Sequence, residues 1–175
     1  SWNEAYYADT LDTKLLQMKA RCEMMAGYKN GVIWDSETVL SRDSTFTDCY
    51  VYLADTYKKL NDKEKAAYYY KAVAEYHYMY EPIYLYESGK ADSALMQIRA
   101  YVNNPETPGM YYILLSCMLA RMGRTSEALG VIKKAVEYEP GDLASVRLEP
   151  DLVPVVRTSA YQAWEKRFLE ETFGK

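Results

Sequence analysis

One short stretch of this sequence is answered by a second further along the chain, and no other feature narrows the fold as much. Gly89-Lys90-Ala91-Asp92-Ser93-Ala94 parallels Gly123-Arg124-Thr125-Ser126-Glu127-Ala128, and Ile98 answers Ile132 in the same register. The step from Gly89 to Gly123 is thus a candidate period. Periods of roughly 20–50 residues mark arrays whose units cannot bury their apolar faces alone and stack on their neighbours.

The unit is clearest from Gly109 to Asp142. Tyr112, Leu115, Ser116 and Leu119 fall at helical spacing and give one apolar stripe. Gly123-Arg124 stops that helix, because glycine readily takes the left-handed cap conformation. Thr125 or Ser126 is expected to cap the next helix. Ala128, Ile132 and Ala135 form its inner stripe, and Glu139-Pro140-Gly141 ends it. The pattern predicts a helical hairpin with a three- or four-residue turn.

This layout resembles the tetratricopeptide repeat. The matching positions are the aromatic Tyr112, then Leu115, the small Ser116, Leu119, the turn glycine Gly123, Ala128, Ile132, Ala135 and the closing Pro140. The resemblance implies that the two helices cross at Ser116 and Ala128, where small side chains let the backbones approach. Tyr50, Leu53, Ala54 and Tyr57 make a second good first helix, followed by the turn Asn61-Asp62 and by Ala66, Tyr70 and Val73. The resemblance covers about residues 13 to 170. It implies an all-α chain of antiparallel helical hairpins stacked in a right-handed superhelix, an α-α solenoid with a C-terminal capping helix. The expected organisation is a single tetratricopeptide-like domain over 1–175. Within it lie a degenerate repeat at 13–46, a repeat at 47–80, a shortened and overlapping one at 75–108, the best match at 109–142, and a cap at 143–175.

The step from Asn61 to Gly89 falls six positions short of the step from Gly89 to Gly123. The deficit must fall between Tyr76 and Tyr86, where Pro82 restricts the backbone, so a truncated helix or an altered angle between repeats is expected there. One full period before Asn61 lies Gly27. Leu16 and Ala20 fit a first helix around it, but Lys19 and Glu23 stand where the family prefers apolar residues. Val32 replaces the small residue of the second helix, and Val39-Leu40-Ser41-Arg42-Asp43 looks like a degraded repeat ending. Trp2 to Thr10 are expected to add a preceding helix, and Met18, Met24 and Met25 to fill the core. After Pro140 the pattern changes: Val146-Arg147-Leu148-Glu149-Pro150-Asp151-Leu152 resembles the tail of such arrays. Ser159 to Thr172 then reads as a last amphipathic helix with Tyr161, Trp164, Phe168 and Leu169 inward, shielding the final repeat.

Composition limits the function. A net charge of −4 without a dense Lys/Arg run argues against nucleic acid as the main partner. The longest apolar stretch, near Met110 to Ala120, is too short for a membrane span, and no signal peptide is visible. The chain begins at Ser1 rather than Met, which suits a trimmed or a mature form, so the compartment stays open between cytoplasm and an exported, periplasmic location. Cys22, Cys49 and Cys117 lack metal spacing and are expected to be buried or half-buried. With His77 the one histidine and no paired cysteines, a zinc site is not expected. No Gly-rich phosphate loop, nucleophile elbow or calcium loop occurs, and Glu37, Asp43 and Asp48 are scattered in sequence. No enzymatic activity, metal or cofactor is expected.

The sequence holds 19 tyrosines, many in the tract from Tyr68 to Tyr86. Two readings apply to it: an amphipathic seam between helices, or an aromatic recognition patch. The resemblance implies a non-enzymatic scaffold that binds a protein or peptide along the concave face lined by the first helices. Carried over by position, the binding candidates are Gln17, Arg21 and Met24, then Val51, Asp55 and Lys58, then Met110, Ile113, Cys117 and Arg121. The carboxylate clamp of one subgroup is not reproduced, since Gln17, Arg21, Val51 and Tyr52 occupy its places; this disfavours chaperone tails as the partner. The last-repeat face is apolar enough for a partner's amphipathic helix, or for cover by the chain's own C-terminal helix. Two alternatives stand beside the scaffold: a structural, self-associating homodimer, and a regulatory ligand-binding domain of a larger protein.

Overall fold

A computed structural model describes residues 2–104 and 109–174, with side chains from residue 12 onward. Among the described residues four adopt a left-handed backbone: Gly27 (φ 79°), Asn61 (60°), Gly89 (81°) and Gly123 (76°). These are the turn positions read from the sequence, with the short step between Asn61 and Gly89. Each ends a helix in the same way. The next residue's N–H reaches back to a carbonyl five positions earlier: Tyr28 to Glu23, Asp62 to Tyr57, Lys90 to Leu85 and Arg124 to Leu119, all at 2.9 Å. This bond satisfies one of the carbonyls that a helix end leaves bare, and it requires the positive φ.

The hairpins follow from these turns. Helices α1 (Trp2–Ala26) and α2 (Lys29–Arg42) form the first, α3 (Thr47–Lys59) and α4 (Lys63–Ala74) the second. A 3-10 turn at Tyr78–Tyr80, α5 (Glu81–Glu87) and α6 (Ala91–Val102) follow, and then α7 (Gly109–Arg121) packs on α8 (Thr125–Tyr138). After α8 come α9 (Asp142–Leu148), a 3-10 turn at Pro150–Leu152, α10 (Val153–Val156) and α11 (Ser159–Phe173). The chain packs as two compact units, Ser1–Ala94 and Leu95–Lys175.

The shortfall in the period is taken up in α5, which has only seven residues, with Pro82 in its first turn where the missing N–H costs nothing. Trp2 to Thr10 do not form a separate preceding helix; they are the first turns of the 25-residue α1. Residues 105–108, at the end of the third expected repeat, lie outside the described residues. Thr125 and Ser126 do not cap α8. The cap residue is Arg124, whose side chain instead pairs with Glu127 at 2.6 Å, while its carbonyl accepts from Ala128 N.

In the first unit, Leu53, Ala54, Tyr57, Ala66, Tyr70 and Val73 make one buried cluster, and Ala20, Val32, Val39, Cys49 and Tyr52 another. In the second, Leu115, Leu119, Ala128, Ile132, Val136, Val146, Leu152 and Val155 are buried. Ser116 is fully buried, and its hydroxyl donates to Tyr112 O at 2.8 Å, which satisfies it within the helix. Arg147 of α9 ties α11 in place by donating to Glu165 at 3.0 Å, and within α11 the Tyr161 hydroxyl donates to the same carboxylate at 2.6 Å. Tyr161 and Trp164 are buried, Phe168 and Leu169 half-buried.

A Cβ added at Gly123 meets nothing within 4 Å, so substitution there tests backbone conformation alone. Gly123→Ala is expected to cost about 1 kcal/mol or slightly more in urea unfolding, from the left-handed penalty. Gly123→Asn should cost clearly less, since asparagine already fills the equivalent turn at position 61. Equal losses for the two variants would contradict this account of the turns.

Candidate functional site

The first helices of the hairpins carry the candidate surface. In the first unit α1 and α3 pack side by side, and the Gln17 amide donates across them to Asp48 at 3.1 Å. Arg21 is exposed, and its charge acts on Tyr52, a mostly buried residue of α3 whose hydroxyl burial pushes above the ordinary range. Met24 is half-buried against the Ala20–Val32 cluster, and Val51 against the Leu53–Tyr70 cluster. Asp55 accepts a hydrogen bond from the Tyr70 hydroxyl, and Lys58 stands 4.0 Å from the Glu87 carboxylate. Met24 and Val51 therefore serve packing, while Gln17, Arg21, Asp55 and Lys58 supply polar atoms.

In the second unit the four candidates on α7 separate. Met110 and Arg121 are exposed, Ile113 is half-buried and Cys117 is buried. The 3-10 turn at Pro150–Leu152 packs on α7 and brings Glu149 and Asp151 to Cys117, with the three ligating atoms within 4.8 Å of one another. The middle of this face is thus covered by the chain's own C-terminal segment. The piece of that segment packed on α7 is the turn ahead of α11. A thiol with two carboxylates is a set that spacing alone did not reveal, because the thiol and the acids lie far apart in the chain and meet only through the fold. Glu149 already accepts from Asp151 N at 3.4 Å.

The polar positions of the first repeat have a structural explanation. Lys19 stands 2.7 Å from Asp35 and 3.5 Å from Glu23, which joins α1 to α2 through charges where an apolar pair was expected. The Asp35 hydrogen bond and charge hold the Lys19 ammonium above its usual range. Gly31 of α2 leaves room for this group, since a Cβ there would collide with a Glu23 carboxylate oxygen.

Within the tyrosine tract some rings are buried in the seam between helices and others are exposed. Tyr70 is buried and Tyr69 stacks on Tyr57 at 5.7 Å, whereas Tyr68, Tyr76 and Tyr78 are exposed. His77 is exposed and its Nε2 lies 3.1 Å from the Thr47 hydroxyl. Three sequence expectations fail on α1: Cys22 is exposed, and so are Met18 (62%) and Met25 (79%). They lie on the side of the helix away from α2 and α3, so they do not fill the core.

No family model matches the chain, and no curated protein matches it either. Among solved structures the chain is similar to the crystal structure of MamA protein, with a TM-score of 0.54 and 15% identity over 93% of this chain and 96% of that one. At this identity the likeness speaks to fold. The fold is a tetratricopeptide-like α-solenoid. No helix among the described residues is long and apolar enough to cross a membrane.

Proposed function

We propose that the chain is a protein-binding scaffold of helical hairpins, and that the surface formed by α1 and α3 receives a protein or peptide partner. One observation carries this reading. The Gln17–Asp48 bond ties the two first helices together, so that Gln17, Arg21, Asp48, Asp55 and Lys58 present polar groups along adjacent helices. Polar side chains on a pre-formed helical array suit recognition of an extended or helical segment, because the receiving surface loses little entropy on binding. The corresponding face of α7 is less suited, since Glu149 and Asp151 already cover Cys117.

The test compares two charge reversals at exposed positions, Asp48→Lys on α3 and Lys134→Glu on α8. Partners recovered with the parent chain from its native source should fall by about tenfold with Asp48→Lys, a change of about 1.4 kcal/mol. They should be unchanged with Lys134→Glu. Equal recovery with both variants removes the α1–α3 surface as the binding site. Asp48→Lys also removes the Gln17 bond and the acidic residue in the first turn of α3, so the melting temperature of each variant is measured and recovery is compared well below it, which separates lost binding from lost folding.

A further inference from the structure

Helix α1 carries apolar residues on two opposite sides. Its inward side, with Leu16, Ala20 and Met24, packs on the cluster formed with α2 and α3. At 3.6 residues per turn, Leu15, Met18, Cys22 and Met25 fall on the other side of the helix. All four are exposed, Leu15 at 54%, Met18 at 62% and Met25 at 79%. Single exposed apolar residues are ordinary, but four in register are not scattered exposure. Their intervals of three, four and three are the a–d seam of a heptad, a pattern that fits a second helix. The same interval reaches back to Leu11 in the sequence. From Leu15 to Met25 the seam runs about 15 Å along the axis.

The borders of the seam decide between occupants. Lys14 and Arg21 lie one heptad apart along one border, both exposed and neither in an ion pair among the described residues. A second copy docked antiparallel would set Lys14 against Arg21, twice by symmetry. The compensating contact would be Asp12 with Lys19, and Lys19 is already held by Asp35 at 2.7 Å. A parallel copy would set Lys14 beside Lys19, which Asp35 already holds and which offers Lys14 no carboxylate. Like charges across a helix seam oppose pairing, so this border selects against the chain itself and for carboxylates.

We propose that the outer face of α1 docks an amphipathic α-helix of another protein, apolar at its a and d positions and acidic beside them. This goes beyond the scaffold reading, because it uses a different side of α1 from the surface shared with α3. The probe is a fluorescent synthetic helix of three heptads with leucine at a and d and glutamate at e and g, titrated with the full chain. A control peptide has the same seam with lysine at e and g. A short seam of this kind is expected to bind with Kd in the micromolar range, of the order of 10 μM. The lysine peptide should bind about tenfold or more weakly, and Met18→Glu should weaken the acidic peptide by about tenfold or more. Lys14→Glu should shrink the gap between the peptides. These variants spare Arg21, which also borders the α1–α3 surface, so failure here and failure of the scaffold reading are distinguishable. If Met18→Glu lowers the melting temperature, Met25→Glu takes its place. Equal binding of the two peptides, or binding that both substitutions leave unchanged, overturns the proposal. So does a dimer in sedimentation velocity that Met18→Glu dissolves, which would make a second copy the occupant.

Discussion

Ala128→Leu is expected to lower the melting temperature of the chain by about 5–10 °C, whereas Ser126→Leu, two residues away on the same helix, should change it little. Ala128 is fully buried within the α7–α8 hairpin, as is Ser116 on the partner helix. Three added carbons cannot be placed there without moving a backbone, and overpacking of this sort costs about 1–3 kcal/mol. In a chain of this length each kcal/mol corresponds to roughly 2–4 °C. Ser126 is exposed, so its substitution stays within about 0.5 kcal/mol. Thermal unfolding followed by circular dichroism distinguishes the two. If both variants melt like the parent, close approach of α7 and α8 at this position is not what holds the hairpin. The equivalent substitution in the second hairpin, Ala66→Leu, should behave in the same way, since Ala66 is also fully buried.

A steep loss of stability is also expected on raising the pH from 9 to 12. Burial pushes the Cys49 thiol from 9.0 up to about 11, outweighing the Ser36 hydroxyl that opposes the shift. Burial, with Glu37 beside the ring, pushes Tyr69 up to about 12, and Tyr50, Tyr52, Tyr80 and Tyr161 are raised for the same first cause. All of these groups hold their protons longer in the folded chain than in the unfolded one. Above the unfolded values the native state therefore binds more protons, and stability falls as pH rises. It is fully present below pH 9.0 and is lost as the pH passes through the folded values. The rise from 9.0 to about 11 on the fully buried Cys49 corresponds to about 2–3 kcal/mol. Tyr50, Tyr69 and Tyr80 are partly exposed and contribute less each, whereas Tyr52 and Tyr161 are buried and add to the loss above the ordinary tyrosine range. Urea midpoints measured across this range should drop continuously, and Cys49→Ala should flatten the portion between pH 9 and 11. A midpoint independent of pH would show that these groups are not more protonated when folded.

The hairpin turns were legible in the sequence because their cause is local. A left-handed residue after a helix needs glycine or asparagine, and Gly27, Asn61, Gly89 and Gly123 mark all four of the left-handed turns among the described residues. Small residues at the α7–α8 crossing were legible for the same reason, since Ser116 and Ala128 are both fully buried. Helix α1 was harder to read. It has apolar residues at helical spacing on two sides, and periodicity alone does not say which side meets the core. Lys19 and Glu23 misled further: their long side chains join a charge group with Asp35 at the α1–α2 interface, a role that depends on the partner helix.

What the sequence determined by itself was the repeating unit: helix, left-handed turn, helix, with small residues where the two must approach. Those features follow from backbone sterics and from intervals of three and four, which a linear chain records directly. Only the tertiary structure decided which faces remain open. It placed Met18, Cys22 and Met25 outward, buried Cys117 against Glu149 and Asp151, and joined Gln17 to Asp48 across 31 positions. The physical reason is that exposure depends on what packs against a residue, and that neighbour is distant in sequence and follows no period.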